Sequence, residues 1–79
     1  MTMDRFQQLR VLEAILFSSA DPVPEKVLKA RLPEGSDVDV LLQELKSFYS
    51  NRGVHLVSVG KKVWAFRTAP DLSNHLRID

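Results

Sequence analysis

The stretch Asp37–Ser50, DVDVLLQELKSFYS, decides the fold. Val38, Leu41, Leu42, Leu45, Phe48 and Tyr49 recur at i, i+3, i+4, i+7, i+10 and i+11, the spacing that stacks side chains on one helical face. Ser36 and Asp37 stand before it, where a side-chain oxygen can accept bonds from free backbone amides, and Gly53 follows where a left-handed terminating residue is tolerated. A helix over Asp37–Ser50 is the expectation. Its opposite face carries Asp39, Val40, Gln43, Glu44, Lys46, Ser47 and Ser50, of which one is basic.

Working outward, 79 residues suffice for one small domain with one core. Such a core is marginal unless a disulfide, a metal or a partner chain adds to it. Cysteine is absent, and the two histidines, His55 and His75, lie far apart without a cluster of carboxylates at ligand spacing. Of the three supports, a partner chain remains. No apolar run approaches the roughly 20 residues a membrane span needs. The opening residues show no basic, apolar and small-residue succession of an export signal, so a cytoplasmic location is expected. The net charge of +1 gives no support to a protein that lives on phosphate contacts.

Toward the N-terminus, Asp4–Ser18 reads as a first helix with Leu9, Leu12 and Leu16 on one stripe and Ile15 and Phe6 on its flanks. Val11, Ala14 and Phe17 fall elsewhere on the cylinder. A helix apolar around most of its circumference needs two burial surfaces, either other elements of its own domain or another subunit, and both keep Phe17 buried. Ala20-Asp21-Pro22-Val23-Pro24 ends this helix, because proline lacks a backbone donor and disfavours a helical residue before it. Pro24 suits the first turn of a second, short helix, Pro24–Arg31, with Val27, Leu28 and Leu32 inward.

Beyond Gly53 the period becomes extended. Val54–Val59 and Val63–Thr68 read as two strands joined by a two-residue Gly60-Lys61 turn. That register sets Val57 opposite Trp64 and His55 opposite Phe66 on one face, with Leu56 opposite Ala65 on the other; the larger rings favour the first face as inward. Asp71–Arg77 closes the chain as a short helix with Leu72 and Leu76 at i and i+4. Three helices followed by a hairpin is the order of a winged helix, an α+β fold: a three-helix bundle with a helix-turn-helix and a C-terminal β-hairpin wing.

Chemistry at a site is sparse. Ser58 near His55 points to the opposite strand face, so no nucleophile and base are paired. The glycines at 35, 53 and 60 have turn or cap roles and form no phosphate loop, so neither catalytic, cofactor-binding nor metal-ligating residues are expected. A winged helix invites a DNA-binding reading, in which the third helix enters the major groove and its arginine, lysine, asparagine or glutamine side chains read base edges. Only Gln43 and Lys46 offer that here, beside Asp39 and Glu44. Lys61 and Lys62 of the wing could add phosphate contacts, though cations on a strand edge also serve to discourage pairing between chains.

The string Leu12-Glu13-Ala14-Ile15-Leu16-Phe17-Ser18-Ser19-Ala20-Asp21-Pro22-Val23 resembles the opening of the segregation and condensation protein B family. Leu45–Tyr49 with Arg52-Gly53, Leu56-Val57-Ser58-Val59, and Phe66-Arg67-Thr68-Ala69-Pro70 resemble its third helix, wing and exit segment. The wing departs from the family pattern, carrying Lys61-Lys62-Val63-Trp64 where a Gly-Gly-Tyr-like turn is common. The resemblance implies a non-enzymatic subunit of the bacterial complex built on the structural-maintenance-of-chromosomes ATPase, associated with the nucleoid. It implies two winged-helix domains, of which residues 1–79 match the N-terminal, dimerising one. It further implies that the partners are a second copy and the kleisin, segregation and condensation protein A, and through it the ATPase. Direct DNA binding is then absent or weak, and chromosome condensation and segregation is the function; a winged-helix transcriptional regulator is the alternative.

The apolar surplus of the first helix meets this implication. Val11, Ala14, Ile15 and Phe17 are the candidate dimer interface, since a marginal domain gains stability from a partner. A charged residue at Val11 is expected to weaken self-association more than folding, read by sedimentation and thermal melting; loss of both together would make Val11 a core residue.

Overall fold

The computed structural model describes residues 3–76. Helix α1 spans Arg5–Ser18 and starts where Asp4, in extended backbone, accepts a bond from the Gln7 amide at 2.8 Å. Strand β1 is the pair Val23–Pro24, α2 spans Glu25–Ala30 and α3 spans Val38–Phe48. Asp37 caps α3 by accepting from the Val40 amide at 3.2 Å, as the Ser36-Asp37 pair leads one to expect. Strands β2, Val54–Ser58, and β3, Val63–Thr68, form the wing, and a 3₁₀ segment follows over Pro70–Leu76. The sheet is antiparallel in the order β1-β3-β2. Three helices against a three-stranded sheet make the expected α+β winged helix.

The core is where the helical stripes meet. Leu9, Leu12 and Leu16 of α1 lie against Val38, Leu41, Leu42 and Leu45 of α3, with Leu28 of α2 and Leu56 and Trp64 of the wing closing the cluster. Leu12, Leu28 and Leu42 have no exposed surface at all. Two polar contacts fasten the wing to the helices. The Trp64 indole donates to the Glu25 carboxylate at 2.9 Å, and the Glu25 amide donates to the Lys62 carbonyl at 2.9 Å. Because Trp64 is buried, satisfying its N–H there keeps a donor from being stranded.

Several details differ from the sequence expectation, each for a local reason. The wing turn holds three residues, Gly60–Lys62, not two. Gly60 has φ 76° and Lys62 has φ 59°, and the Val59 amide donates to the Val63 carbonyl at 2.7 Å. That extra residue shifts the register by one: Leu56 faces Phe66, Val57 faces Ala65, His55 faces Arg67 and Ser58 faces Trp64. The rings do point inward, but with Leu56 and not with Val57 and His55.

Val23 and Pro24 pair with Trp64 and Val63, which makes them a third strand; Pro24 serves as the cap of α2, which starts at Glu25. An edge position suits proline, whose missing N–H is not needed by the ladder. Val27 is exposed, because Leu28 and Leu32, four residues apart, already take the one face this short helix can bury.

Phe48 is also exposed, at 56%. By angle Phe48 stands only about 20° from the buried Leu41, but it is the last residue of α3, and its ring lines the cleft beside α1 instead of entering the core. Gly53 is not left-handed; α3 ends on Tyr49, whose amide donates to the Lys46 carbonyl at 3.2 Å, and the Ser50 amide donates to the Ser47 carbonyl at 3.3 Å. At the far end Leu76 is exposed and Leu72 half-buried, while Arg77 lies outside the described residues.

Lys62 in left-handed backbone gives a direct test of the three-residue turn. Relieving its Cβ crowding with Lys62→Gly is expected to raise stability by ~0.5–1 kcal/mol in urea unfolding, and Lys61→Gly to lower it by a similar amount.

Candidate interaction surface of helices one and three

Helix α1 has three different sides. Its leucine stripe is buried. At about 100° per residue, Phe6, Arg10, Glu13 and Phe17 fall in a single flank, Val11 and Ile15 in the opposite flank, and Ala14 on the crest between them. The four dimer-interface candidates therefore spread over a broad arc of about 160° and differ in exposure. Val11 and Ile15 are half-buried and pack against the core, whereas Ala14 is exposed and Phe17 is 81% exposed. No other described element of the chain covers Phe17, so the reading in which this domain wraps its own first helix fails at that residue. Packing of Val11 against the core also means that a charge there would disturb folding together with any association.

Between the Phe6 flank of α1 and the C-terminal half of α3 runs an open groove of about 650 Å³. Leu9 and Leu45 form its floor, and the rings of Phe6, 69% exposed, and Phe48 form its walls. Its rim is charged. Arg5 donates to the Glu44 carboxylate at 2.6 Å, bridging the start of α1 to α3. Tyr49 donates its hydroxyl to the Glu13 carboxylate and sets its ring against Phe66, with centroids 4.8 Å apart. Arg10 lies over the Phe6 ring at 5.9 Å and Arg52 over the Tyr49 ring at 5.5 Å.

By spacing alone Phe6 is a helix flank and Phe48 part of the core stripe. The signal for the groove was the pair of helical stripes read together: Phe6, Arg10 and Glu13 on one helix and Glu44 and Phe48 on the other meet only once α1 crosses α3.

The residues considered for DNA contact lie elsewhere. Gln43 and Lys46 are exposed on the far side of α3, with Asp39 one turn from Gln43 on the same side. Lys61 and Lys62 are exposed at the tip of the wing. The third helix thus presents one glutamine and one lysine beside a carboxylate, a poor match to a surface that must meet phosphates. Among the described residues no group of three or more histidine, cysteine, aspartate or glutamate side chains could hold a metal ion. No described helix is long and apolar enough to cross a membrane.

The chain matches the family described as segregation and condensation complex subunit ScpB over residues 10–78. None of the curated proteins matches it. Among solved structures, the crystal structure of a conserved hypothetical protein from Chlorobium tepidum is similar, with a TM-score of 0.75 and 29% identity over 92% of this chain. The chain spans about half of that protein, 48% of its length. With most of its residues matched, the chain belongs to the segregation and condensation complex subunit ScpB family.

The bond between Tyr49 and Glu13 ties α3 to α1 and generates a pH prediction. The hydrogen bond to Glu13 first, and burial second, raise the Tyr49 pKa from its ordinary 10.0. The neutral hydroxyl is the form that donates, so the folded state holds this proton more tightly than the unfolded chain does. Its contribution is complete below the ordinary phenol value of 10.0 and is lost as pH rises through the raised value. Urea midpoints of the wild type are expected to fall more steeply above pH 10 than those of Tyr49→Phe, and equal slopes would show the bond to be idle.

Proposed function

We propose that this domain is a non-enzymatic scaffold in the bacterial condensin-like complex that condenses and segregates chromosomes. In this reading it is the N-terminal half of a two-domain subunit, dimerises through the outer side of α1, and works with the kleisin that joins the subunit to the structural-maintenance-of-chromosomes ATPase. Membership of the ScpB family is the observation that carries the role in the complex. That the chain spans about half of its Chlorobium tepidum relative supports the two-domain reading.

For the dimer, support comes from α1. Ala14 and Phe17 are exposed at the end of a helix whose leucine stripe is already used, and a phenylalanine 81% exposed leaves apolar surface in water. Burying such a ring is worth roughly 1.5–3 kcal/mol, a useful increment for a core this small. Val11 and Ile15, half-buried beside the crest, would complete the contact with their remaining exposed edges. The acidic and neutral side chains of α3 support the scaffold over the transcriptional regulator, since Gln43 and Lys46 stand nearly alone as potential base readers.

Two measurements on the domain test this reading. Sedimentation at high micromolar concentration is expected to give a dimer mass, which Ala14→Glu and Phe17→Glu reduce to the monomer with little change in thermal midpoint; a wild-type monomer there would remove the dimer. Anisotropy of labelled duplex DNA is expected to show no binding, or weak binding abolished at moderate salt. Tight binding that survives moderate salt and depends on Gln43 or Lys46 would replace the scaffold by the regulator.

A further inference from the structure

We infer that the groove between α1 and α3 is a docking site for an amphipathic α-helix from another protein, one that carries carboxylates beside its apolar face. The inference does not depend on the dimer. It starts from what the groove leaves unsatisfied.

Phe6 and Phe48 expose 69% and 56% of their surface on facing walls above Leu9 and Leu45. An incoming row of leucine-like side chains would bury both rings against a floor that is already apolar. The geometry suits a helix because the cleft runs between two helices and offers no unpaired strand backbone to extend. Its volume of about 650 Å³, open to one side, takes one face of a helix and does not enclose a small molecule.

The rim then selects the sign of the occupant. Both carboxylates are engaged from within, Glu44 by Arg5 and Glu13 by the Tyr49 hydroxyl. Neither Arg10 nor Arg52 forms an ion pair among the described residues. Arg10 bonds the Gln7 amide oxygen at 3.0 Å and Arg52 bonds the Phe48 carbonyl at 3.2 Å. Each guanidinium also rests over a ring, which holds it at the edge of the groove with donors to spare. Two pre-positioned guanidinium groups beside an apolar cleft fit carboxylates on either side of an apolar helical face.

A second copy of this chain is a poor occupant. A two-fold contact sets the same patch against itself, so Arg10 and Arg52 of one copy would find only the carboxylates of that patch, Glu13 and Glu44, and both are already engaged within their own chain. Nucleic acid is a poor one as well, because phosphates would leave Phe6 and Phe48 in water.

The test uses two designed helical peptides with the same leucine face, one flanked by glutamates and the other by lysines, titrated into the isotope-labelled domain. The glutamate peptide is expected to shift the resonances of Phe6, Phe48 and Arg52 and to bind at least about tenfold tighter than its lysine twin. Arg10→Gln with Arg52→Gln should remove that preference while leaving the thermal midpoint in place, and Lys61→Glu, on the wing, should leave it unchanged. Equal binding of both peptides, no binding of either, or an equal loss in Lys61→Glu would overturn the proposal. So would a dimer whose mass falls to the monomer when the glutamate peptide is added, which would assign the groove to a second copy. Displacement of the peptide by duplex DNA in a manner requiring Arg10 and Arg52 would overturn it in favour of nucleic acid. The dimer of the preceding section is read from Ala14 and Phe17, so either reading can fail alone.

Discussion

Everything in this domain depends on one contact, the leucine stripe of α1 laid against the stripe of α3. Leu12 and Leu42 are sealed at its centre, and the wing adds Leu56 and Trp64 at one end. A core of this size cannot cover a whole helix. Burial of one side of α1 leaves the crest and one flank to water, and α3 likewise leaves Phe48 on the surface at its C-terminal end. The exposed aromatics are thus a consequence of a two-stripe contact in a chain too short to supply a second layer. What begins as a packing limit becomes an opportunity for partners.

How far the sequence could be read follows from the same contact. The stripes were legible because a helix writes its inward face into the spacing of its own residues. Asp4 and Asp37 announce where α1 and α3 start, and the capping bonds are there. The wing register was not legible, because it turned on Lys62 accepting φ 59°, a conformation that lysine does not advertise. Nor was β1: two residues that contribute backbone bonds and one buried valine leave no period to detect. The groove was half legible. Phe6 and Phe48 could be seen as leftovers of their stripes, but their convergence required the crossing of two elements separated by more than thirty positions in the chain, which only the folded molecule provides.

Charge placement gives the winged helix its character here. A groove-reading third helix would need several cations on its outer side, and this one has Lys46 alone among Asp39, Val40, Gln43 and Ser47. Arginines gather instead at the junction of α1 with the end of α3, where Arg5, Arg10 and Arg52 border apolar surface. The same fold therefore offers its basic groups to a different kind of surface. Fold alone would have pointed to DNA; the docking proposed for the groove rests instead on the position of the arginines relative to the exposed rings.

Phe17 is where the two apolar regions of α1 meet, and its position sets how they can be used together. By exposure it belongs with Ala14, at the C-terminal end of the helix; by helical angle it continues the flank of Phe6, Arg10 and Glu13. A contact that covers Phe17 in a second copy would bound the groove at that end and leave Phe6, Phe48, Arg10 and Arg52 open at the other. Phe6 and Phe17 stand eleven residues apart, about 16 Å along the axis at 1.5 Å per residue. The proposed dimer draws on Ala14 and Phe17 and the proposed docking on Phe6 and Arg10, so the two contacts make separate demands on one short helix and neither takes a residue the other needs.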